Sequence, residues 1–390
     1  MIRLLPLTGD VTPAIRRLGW DWAVEDACAT YLAPEALELS EPQAEELLQA
    51  ADTLYEMLVQ AVPDPIPDDF LQLMGIPTNL WQAVRHSWND ERHWHLYGRF
   101  DLASTPEGVK LVEFNADTAT SIPETAVVQW ASLMAAGRPE DQQQANGLFE
   151  GLELQLREWL GLNADLEPNL LLVHLPDSQE DETNCQVIAE AAREAGFASV
   201  HVCPIDAMQV SVMGEERGAW AEVAPGEWQR FPFVFKLVPW EILAEEEPVL
   251  TADLTQLLQS RDLIIANPAY TLLFQSKAML AWLWQVFPHH PLLVEASMQD
   301  LGGHYVRKPL FGREGQSLTE VQDGHVQYAE PGEYDQQPQV RQRWLELPAD
   351  AQGRRYQAGV FWAGEACALG FRRANGIITN LSEFVPHIVV

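Results

Sequence analysis

The sequence predicts a mixed α/β (α+β) fold, and three observations carry that expectation. Strand-like and helix-like segments alternate from Asn169 onward, the pattern of parallel pairing. Two strand-like runs near residue 100 flank a stretch with turn chemistry. A series of short alternating segments closes the chain. The chain has 390 residues, 47% of them apolar and 21% charged, so it can bury a sizeable core.

Taken in order, the first 75 or so residues read as helical by apolar periodicity. Ala44–Val62 places Leu47, Leu48, Ala51, Leu54, Leu58 and Val59 at helical spacing, and the Pro63–Pro67 cluster stops it. Phe70–Met74 and Leu80–Val84 are short helical pieces broken at Pro77. Leu96–Ala103 and Val109–Asn115 form a β-hairpin around Ser104-Thr-Pro-Glu-Gly108, where Pro sets φ and Gly supplies a positive φ. Ser121–Ala136 is a helix with Pro123 in its first turn and Gly137 beyond its end, and Gln142–Leu160 is another.

Then come strand Leu170–His174, helix Cys185–Ala195 ended by Gly196, and strand Ser199–Cys203. Val210–Met213 and Phe233–Val238 are further strands; Asp253–Ser260 and Ser276–Val286 are helices. Gly302–Phe311 is a strand running into a Gly-rich loop. Val326–Tyr328, Val340–Glu346, Tyr356–Trp362, Ala366–Arg372 and Ile377–Thr379 are antiparallel strands of one last sheet. A working boundary falls near residue 235, without a Gly/Ser linker.

Charge narrows the function. Asp+Glu number 57 against 24 Lys+Arg, a net of −33, which disfavours nucleic acid and anionic membrane surfaces as partners. The plain reading of this excess is solubility. Residues 1–75 carry a net of −11 but residues 301–390 only −1, so an anionic ligand finds its welcome in the C-terminal quarter. Lysine is rare: Lys110, Lys236, Lys277 and Lys308 are the only four. Four scattered cysteines, Cys28, Cys185, Cys203 and Cys367, make no metal or disulfide pattern. With no signal-peptide pattern and no apolar run of membrane-spanning length, the expectation is a cytoplasmic protein.

The hairpin carries the richest chemistry. Residues two apart on a strand share a face, so Arg99 joins Asp101, and Glu113 joins Asn115. With a five-residue loop, 104–108, Asp101 faces Leu111 and Arg99 faces Glu113, and all four project together. An even-numbered loop would put the two pairs on opposite faces. Oxygen ligands of this kind suit Mg²⁺, and a neighbouring Arg can hold a transferring phosphoryl group. The alternative is an exposed hairpin with an ordinary Arg–Glu cross-strand pair.

A second group lies further on. Lys277 opens a helix, Lys308 ends a strand, and Gly312-Arg-Glu-Gly-Gln-Ser317 follows at once. Backbone N–H groups of such a loop can cradle phosphates and lysines can neutralise them, although an ordinary turn reads the same way. Arg372-Arg373 is a third candidate, able to hold a carboxylate or another anion. His289-His290 reads as a solvated turn and His93-Trp-His95 as a strand edge. No HExxH or GxSxG motif is present.

These segments together resemble the synthetase domain of the glutathionylspermidine synthase family. The resemblance rests on Tyr97-Gly-Arg-Phe-Asp101 with Val112-Glu-Phe-Asn-Ala-Asp-Thr-Ala119, and on Ser276-Lys-Ala-Met-Leu-Ala-Trp-Leu-Trp with Phe287-Pro-His-His290. It rests equally on Val306-Arg-Lys-Pro-Leu-Phe-Gly-Arg-Glu-Gly315 and on Phe371-Arg372 with Ile388-Val-Val390. The set covers nearly the whole chain, and it is most similar to the shorter, stand-alone members described as acid–amine ligases.

The resemblance implies an ATP-grasp fold preceded by a pre-ATP-grasp portion. Residues 1–235 would be the helical and pre-ATP-grasp portion with the metal-binding hairpin, and 236–390 the nucleotide-binding portion. It implies ATP with two Mg²⁺ ions as cofactors, and Asp101, Glu113 and Asn115 as the metal ligands. Arg99 and Arg372 take catalytic roles. Arg99, Phe100, Asp101, Lys277, Lys308, Gly312 and Gly315 contact the nucleotide. The segment Gln342, Arg343, Trp344, Leu345 and Glu346 falls where the adenine-contacting hinge lies. Trp240-Glu241 resembles a pair near the family's substrate pocket.

The implied partners are a small carboxylate and an amine, such as glutathione and a polyamine. The implied reaction is an amide-forming ligation through an acyl phosphate. The bifunctional members carry an amidase domain for which this sequence has no room, so hydrolysis is not expected. Two other readings stand beside ligation: an ATP-binding regulatory protein of the same fold that has lost it, and a carbohydrate-active enzyme.

Overall fold

The computed structural model describes residues 2–17, 19–24, 31–137, 143–313, 315–379 and 382–390. Cys28, Glu314 of the Gly-rich loop and the expected helix start at Gln142 lie outside them.

A four-stranded parallel sheet forms the centre, in the order Ile264–Ala266, Phe233–Lys236, Asn169–His174, Ser199–Pro204. Its inner strands are unbroken apolar runs because both sheet faces are buried: Leu170, Leu171, Leu172, Phe233, Val234 and Phe235 are all in the core. Helix Gln179–Ala195 connects two of these strands. The Ser178 hydroxyl caps its start by accepting from the Asp181 N–H at 3.2 Å, and acids at 180–182 suit the N-terminal dipole. Gly196 ends it in the left-handed conformation. A three-stranded sheet, Gln209–Ser211, Gly218–Ala224 and Glu227–Phe231, follows.

The hairpin is built from strands Gly98–Thr105 and Gly108–Asn115, closed by a two-residue loop. That loop length, on its own, sends the two functional pairs to opposite faces. A β-bulge restores them: Leu102 pairs with Leu111 but Asp101 pairs with Glu113, so Val112 is an extra residue. Arg99 therefore faces Asn115 rather than Glu113, and the expected five-residue loop is corrected to two. Arg99, Asp101, Glu113 and Asn115 do share one face. Phe100 and Phe114 take the other, stacked at 3.8 Å in the core below helix Glu41–Ala61.

The closing strands do not form a single sheet. Ala296–Ser297, Gln339–Arg343, His304–Pro309, Thr319–Gln322 and His325–Ala329 make one. Glu383–Val385, Ala366–Ala374 and Arg355–Trp362 join the hairpin to make another. Strand periodicity reports which face is buried and not which neighbour is bonded, so the division between sheets left no local trace. Ile377–Thr379 is not a strand: the ladder partner of Ala366–Ala374 is Glu383–Val385.

The N-terminal stretch is also less helical than its pattern suggests. Arg3–Pro6 and Glu35–Leu39 are strands, and the second pairs in parallel with His387–Val389 at the far end of the chain. Runs of four or five residues are too short to show a period. Residue 235 lies inside strand Phe233–Lys236, which is bonded on both sides.

Candidate active site

The hairpin sheet and the Gln339–Arg343 sheet face each other across a cleft of about 610 Å³. Arg99, Asp101, Glu113 and Asn115 line one wall, and Lys277, Lys308, Gly312 and Gly315 the other. Arg372 closes one end, beside Ser121.

The hairpin's base is rigidly held. Asn267, fully buried, accepts from the Leu96 N–H at 2.8 Å and donates to the carbonyls of Tyr97 and Asp117, both at 2.9 Å. The Gln275 side chain accepts from the N–H groups of Ala116 and Asp117 at 2.8 and 3.1 Å. Both amides satisfy backbone groups at the mouth of the hairpin, where no ladder reaches.

On the functional face, Arg99 Nε and Nη2 donate to the two Asp101 oxygens at 2.8 and 3.3 Å, and Nη1 donates to the Thr120 carbonyl at 2.8 Å. Asn115 Nδ2 donates to Asp101 Oδ2 at 3.2 Å. Arg99 fits because Gly359, which pairs with Asp101 on the neighbouring strand, lies diagonally beside it: a Cβ there would come within 3.0 Å of Arg99 Cδ. Burial works to lower the Arg99 pKa, but Asp101 and Glu113 reverse this and hold the guanidinium above its ordinary value.

Two buried ammonium groups converge on Glu113. Lys277 Nζ lies 3.5 Å from Glu113 Oε2 and donates to the Gly312 carbonyl at 2.7 Å. Lys308 Nζ donates to the carbonyl of Val112, the bulge residue, at 3.3 Å. Burial pulls the Lys308 pKa down to about 8; Glu113 opposes this and Lys277 adds to it. Burial alone would raise Glu113, yet Lys277, Lys308 and Arg99 outweigh it and hold the carboxyl below its usual range.

Arg372 Nη2 donates to Ser121 Oγ at 2.6 Å, Nη1 donates to the Ser382 carbonyl at 3.3 Å, and Glu124 Oε1 lies 3.8 Å away. Arg373 points elsewhere, into ion pairs with Glu35 and Glu383. In the Gly-rich loop, Arg313 donates to Thr118 Oγ1 at 2.7 Å and to Glu241 Oε1 at 2.5 Å. Gly315 takes φ +74° against the Ile378 carbonyl, a conformation that favours glycine.

Gln342, Arg343, Trp344 and Leu345 line the cleft. Gln342 Nε2 donates to the Leu111 carbonyl at 3.1 Å, and Trp344 stacks on His304 at 4.7 Å. Glu346 and Phe100 are not among the lining residues: Glu346 turns to Trp344 Nε1 and Arg355, and the Phe100 ring packs in the core.

Sequence reasoning named Lys236 among the rare lysines and Asp117 at the end of the hairpin run but did not join them; they are a buried pair 2.7 Å apart beneath the cleft. Burial raises the Asp117 pKa and lowers that of Lys236. The scarcity of lysine was the available signal. It also passed over Glu124, which the aromatic Tyr31 hydroxyl contacts from the N-terminal region.

The oxygens of Asp101, Glu113 and Asn115, gathered on one face, are a donor set that fits a hard cation such as Mg²⁺. The lysines and arginines around them fit a polyphosphate.

A family model described as glutathionylspermidine synthase preATP-grasp matches residues 4–390. A Haemophilus influenzae protein carrying the provisional name acid–amine ligase is 26% identical over 99% of this chain and 98% of its own. The bifunctional glutathionylspermidine synthetase/amidase of Escherichia coli is 26% identical over 90% of this chain, which spans 59% of that enzyme's length. Trypanothione synthetase of Crithidia fasciculata is 25% identical over 86% of this chain and 53% of its own. Among solved structures, a glutathione synthetase-like effector from Globodera pallida shares the fold, with a TM-score of 0.56 and 11% identity over 98% of this chain and 99% of its own.

Proposed function

The chain belongs to the glutathionylspermidine synthase preATP-grasp family, and from that premise we propose that it is an ATP- and Mg²⁺-dependent ligase joining a carboxylate to an amine. The observation that carries this reading is the bulged hairpin, which gathers Arg99, Asp101, Glu113 and Asn115 on one face opposite Lys277 and Lys308.

In this mechanism Lys277 and Lys308 hold the phosphate chain of ATP, and Gln342–Leu345 lie along its adenine. Asp101, Glu113 and Asn115 would hold Mg²⁺, which would supply positive charge beside the phosphates. Arg372, at the end of the cleft, holds the anionic acid. A carboxylate oxygen attacks the γ-phosphorus, the bond to the bridging oxygen breaks, and ADP leaves. Arg99 offsets charge on the transferring group. The amine nitrogen then attacks the acyl carbon of the resulting acyl phosphate and loses a proton. Cleavage of the acyl C–O bond releases inorganic phosphate and leaves an amide. The 312–317 segment, tied to Thr118 and Glu241 through Arg313, limits the access of water to the acyl phosphate.

The relatives' names point to glutathione as the acid and a polyamine as the amine. Glu180 and Asp181 on the cleft wall are a match for a cationic amine. A screen of acid–amine pairs, read by mass for ATP-dependent amide formation, tests the proposal. Asp101→Ala is expected to lower turnover by on the order of 100-fold or more; undiminished ATP turnover in that variant would remove the metal assignment.

A further inference from the structure

A group of residues able to hold a metal ion lies outside the cleft. Helix Trp81–Trp88 carries His86 in its last turn, and the Asn89 side chain caps the end by donating to the Arg85 carbonyl at 2.8 Å. The chain then folds back in a tight turn, with the His93 N–H donating to the Asp90 carbonyl at 3.0 Å. Asn163 Nδ2 ties this turn to the end of helix Leu148–Leu162 through the Arg92 carbonyl at 3.2 Å. The result gathers His86, Asp90 and His93, each offering one ligand atom, with all three atoms within 4.8 Å of one another. Among the described residues this is the one His/Cys/Asp/Glu group so arranged.

The nitrogens themselves supply the second observation. His93 is only 4% exposed, and its Nδ1 is buried with no hydrogen-bond partner; His86 Nε2 is likewise buried and unpartnered. The two rings meet at 5.1 Å between centroids and 72° between planes. A buried polar atom without a partner costs free energy, and one on each of two adjacent imidazoles needs a reason. A shared cation supplies it, because it accepts an electron pair from both rings at once.

We propose that His86, Asp90 and His93 form a transition-metal site of the Zn²⁺ class, separate from the cleft. Two imidazole nitrogens, borderline ligands, together with one carboxylate oxygen suit Zn²⁺, and the imidazoles select against Mg²⁺, which prefers oxygen alone. A tetrahedral zinc site sets its ligand atoms about 3.3 Å apart. The half-buried His86 and Asp90 sit at a helix end and a turn, where the adjustment from the present spacing is small. Arg92 grips both Asp90 oxygens, Nε donating to Oδ1 at 2.7 Å and Nη2 to Oδ2, so a metal would take a remaining lone pair of a carboxylate that Arg92 already orients. The open side, lined by Trp88, Asn89, Glu91, and by Arg85 and Arg92, whose guanidinium groups are paired with Asp68 and Asp90, leaves room for a fourth ligand. None of the three residues lines the cleft. The metal would clip the helix end to the segment that, five residues after His93, enters the hairpin strand at Gly98.

Titrating the metal-stripped full chain with Zn²⁺ against a chromophoric chelator, in excess Mg²⁺, tests this. One Zn²⁺ per chain is expected, with Co²⁺ in its place giving visible absorption of a tetrahedral N/O site. His86→Gln and Asp90→Asn, both at half-buried positions, should each weaken binding at least tenfold. They should also abolish the rise in melting temperature that Zn²⁺ gives the unsubstituted chain. Absence of Zn²⁺ binding, or one equivalent bound equally tightly by H86Q and D90N, overturns the proposal.

Discussion

Lys308 should make nucleotide binding fall with pH in a range where the nucleotide itself no longer titrates. Burial brings its pKa from 10.5 down to about 8. Phosphate oxygens arriving beside it would favour the protonated form and restore up to the whole difference. With a free value near 8 and a bound value near 10.5, affinity declines by up to about 25-fold between pH 7 and 9.5. The last phosphate ionisation lies near 6, below this window.

The same shift acts on stability with a definite sign. Between about pH 8 and 10.5 the unfolded chain binds the proton that the folded chain has lost, so Lys308 contributes stability that rises with pH there. Its full amplitude is about 3 kcal/mol, since one pK unit is about 1.4 kcal/mol. Calorimetric titration of ATP–Mg²⁺ across pH 7–9.5, for the parent chain and Lys308→Met, is the assay. K308M should bind far more weakly and lose this pH slope while melting no lower than the parent. A slope unchanged in K308M, or an affinity flat within twofold in the parent chain, refutes the reasoning.

Two further substitutions separate scaffold from chemistry. Asp117→Ala leaves the Lys236 ammonium buried without its partner and is expected to cost about 3–5 kcal/mol, read by denaturant unfolding. Adding Lys236→Met should recover part of that loss; no recovery would mean the pair is not the source. Gly359→Val sets a Cβ 3.0 Å from Arg99 Cδ and adds two methyl groups, crowding Arg99 out of place, so turnover should fall on the order of 100-fold while the melting temperature moves by only a few degrees. Full turnover in G359V would separate Arg99 from the chemistry.

What was legible in the sequence follows from what is local. Helix Glu41–Ala61 declared itself through its apolar spacing and Pro63, and the Gly196 stop through its φ requirement. The four hairpin residues were legible as a face-sharing set, but for an incomplete reason. The loop has two residues, and the site depends on the bulge at Val112, a feature with no composition cue. Strands Arg3–Pro6 and Glu35–Leu39 were hidden because they are short and pair with distant segments, Arg3–Pro6 with Glu35–Leu39 and Glu35–Leu39 in turn with the C-terminal strand His387–Val389. Lys277 and Lys308 stood out by rarity; Lys236 was equally rare, yet its partner Asp117 lay too far along the chain to pair by eye.

The charges in the cleft make one further point about how the proposed site would work. Its cations already have acidic neighbours: Arg99 has Asp101, Lys277 has Glu113, and Arg313 has Glu241. Buried ions without partners would cost several kcal/mol each, so internal pairing lets the cleft fold before any ligand arrives. A nucleotide alone would compete with Asp101 and Glu113 for the cations, and a metal alone would compete with the cations for those carboxylates. Together they would let the partners exchange without leaving a charge bare, the carboxylates turning to the metal and Arg99, Lys277 and Lys308 to the phosphates. The chain's net charge of −33 is then no obstacle to a polyanionic ligand, because at this cleft each acid beside a cation is the place where that ligand's own counter-ion would sit.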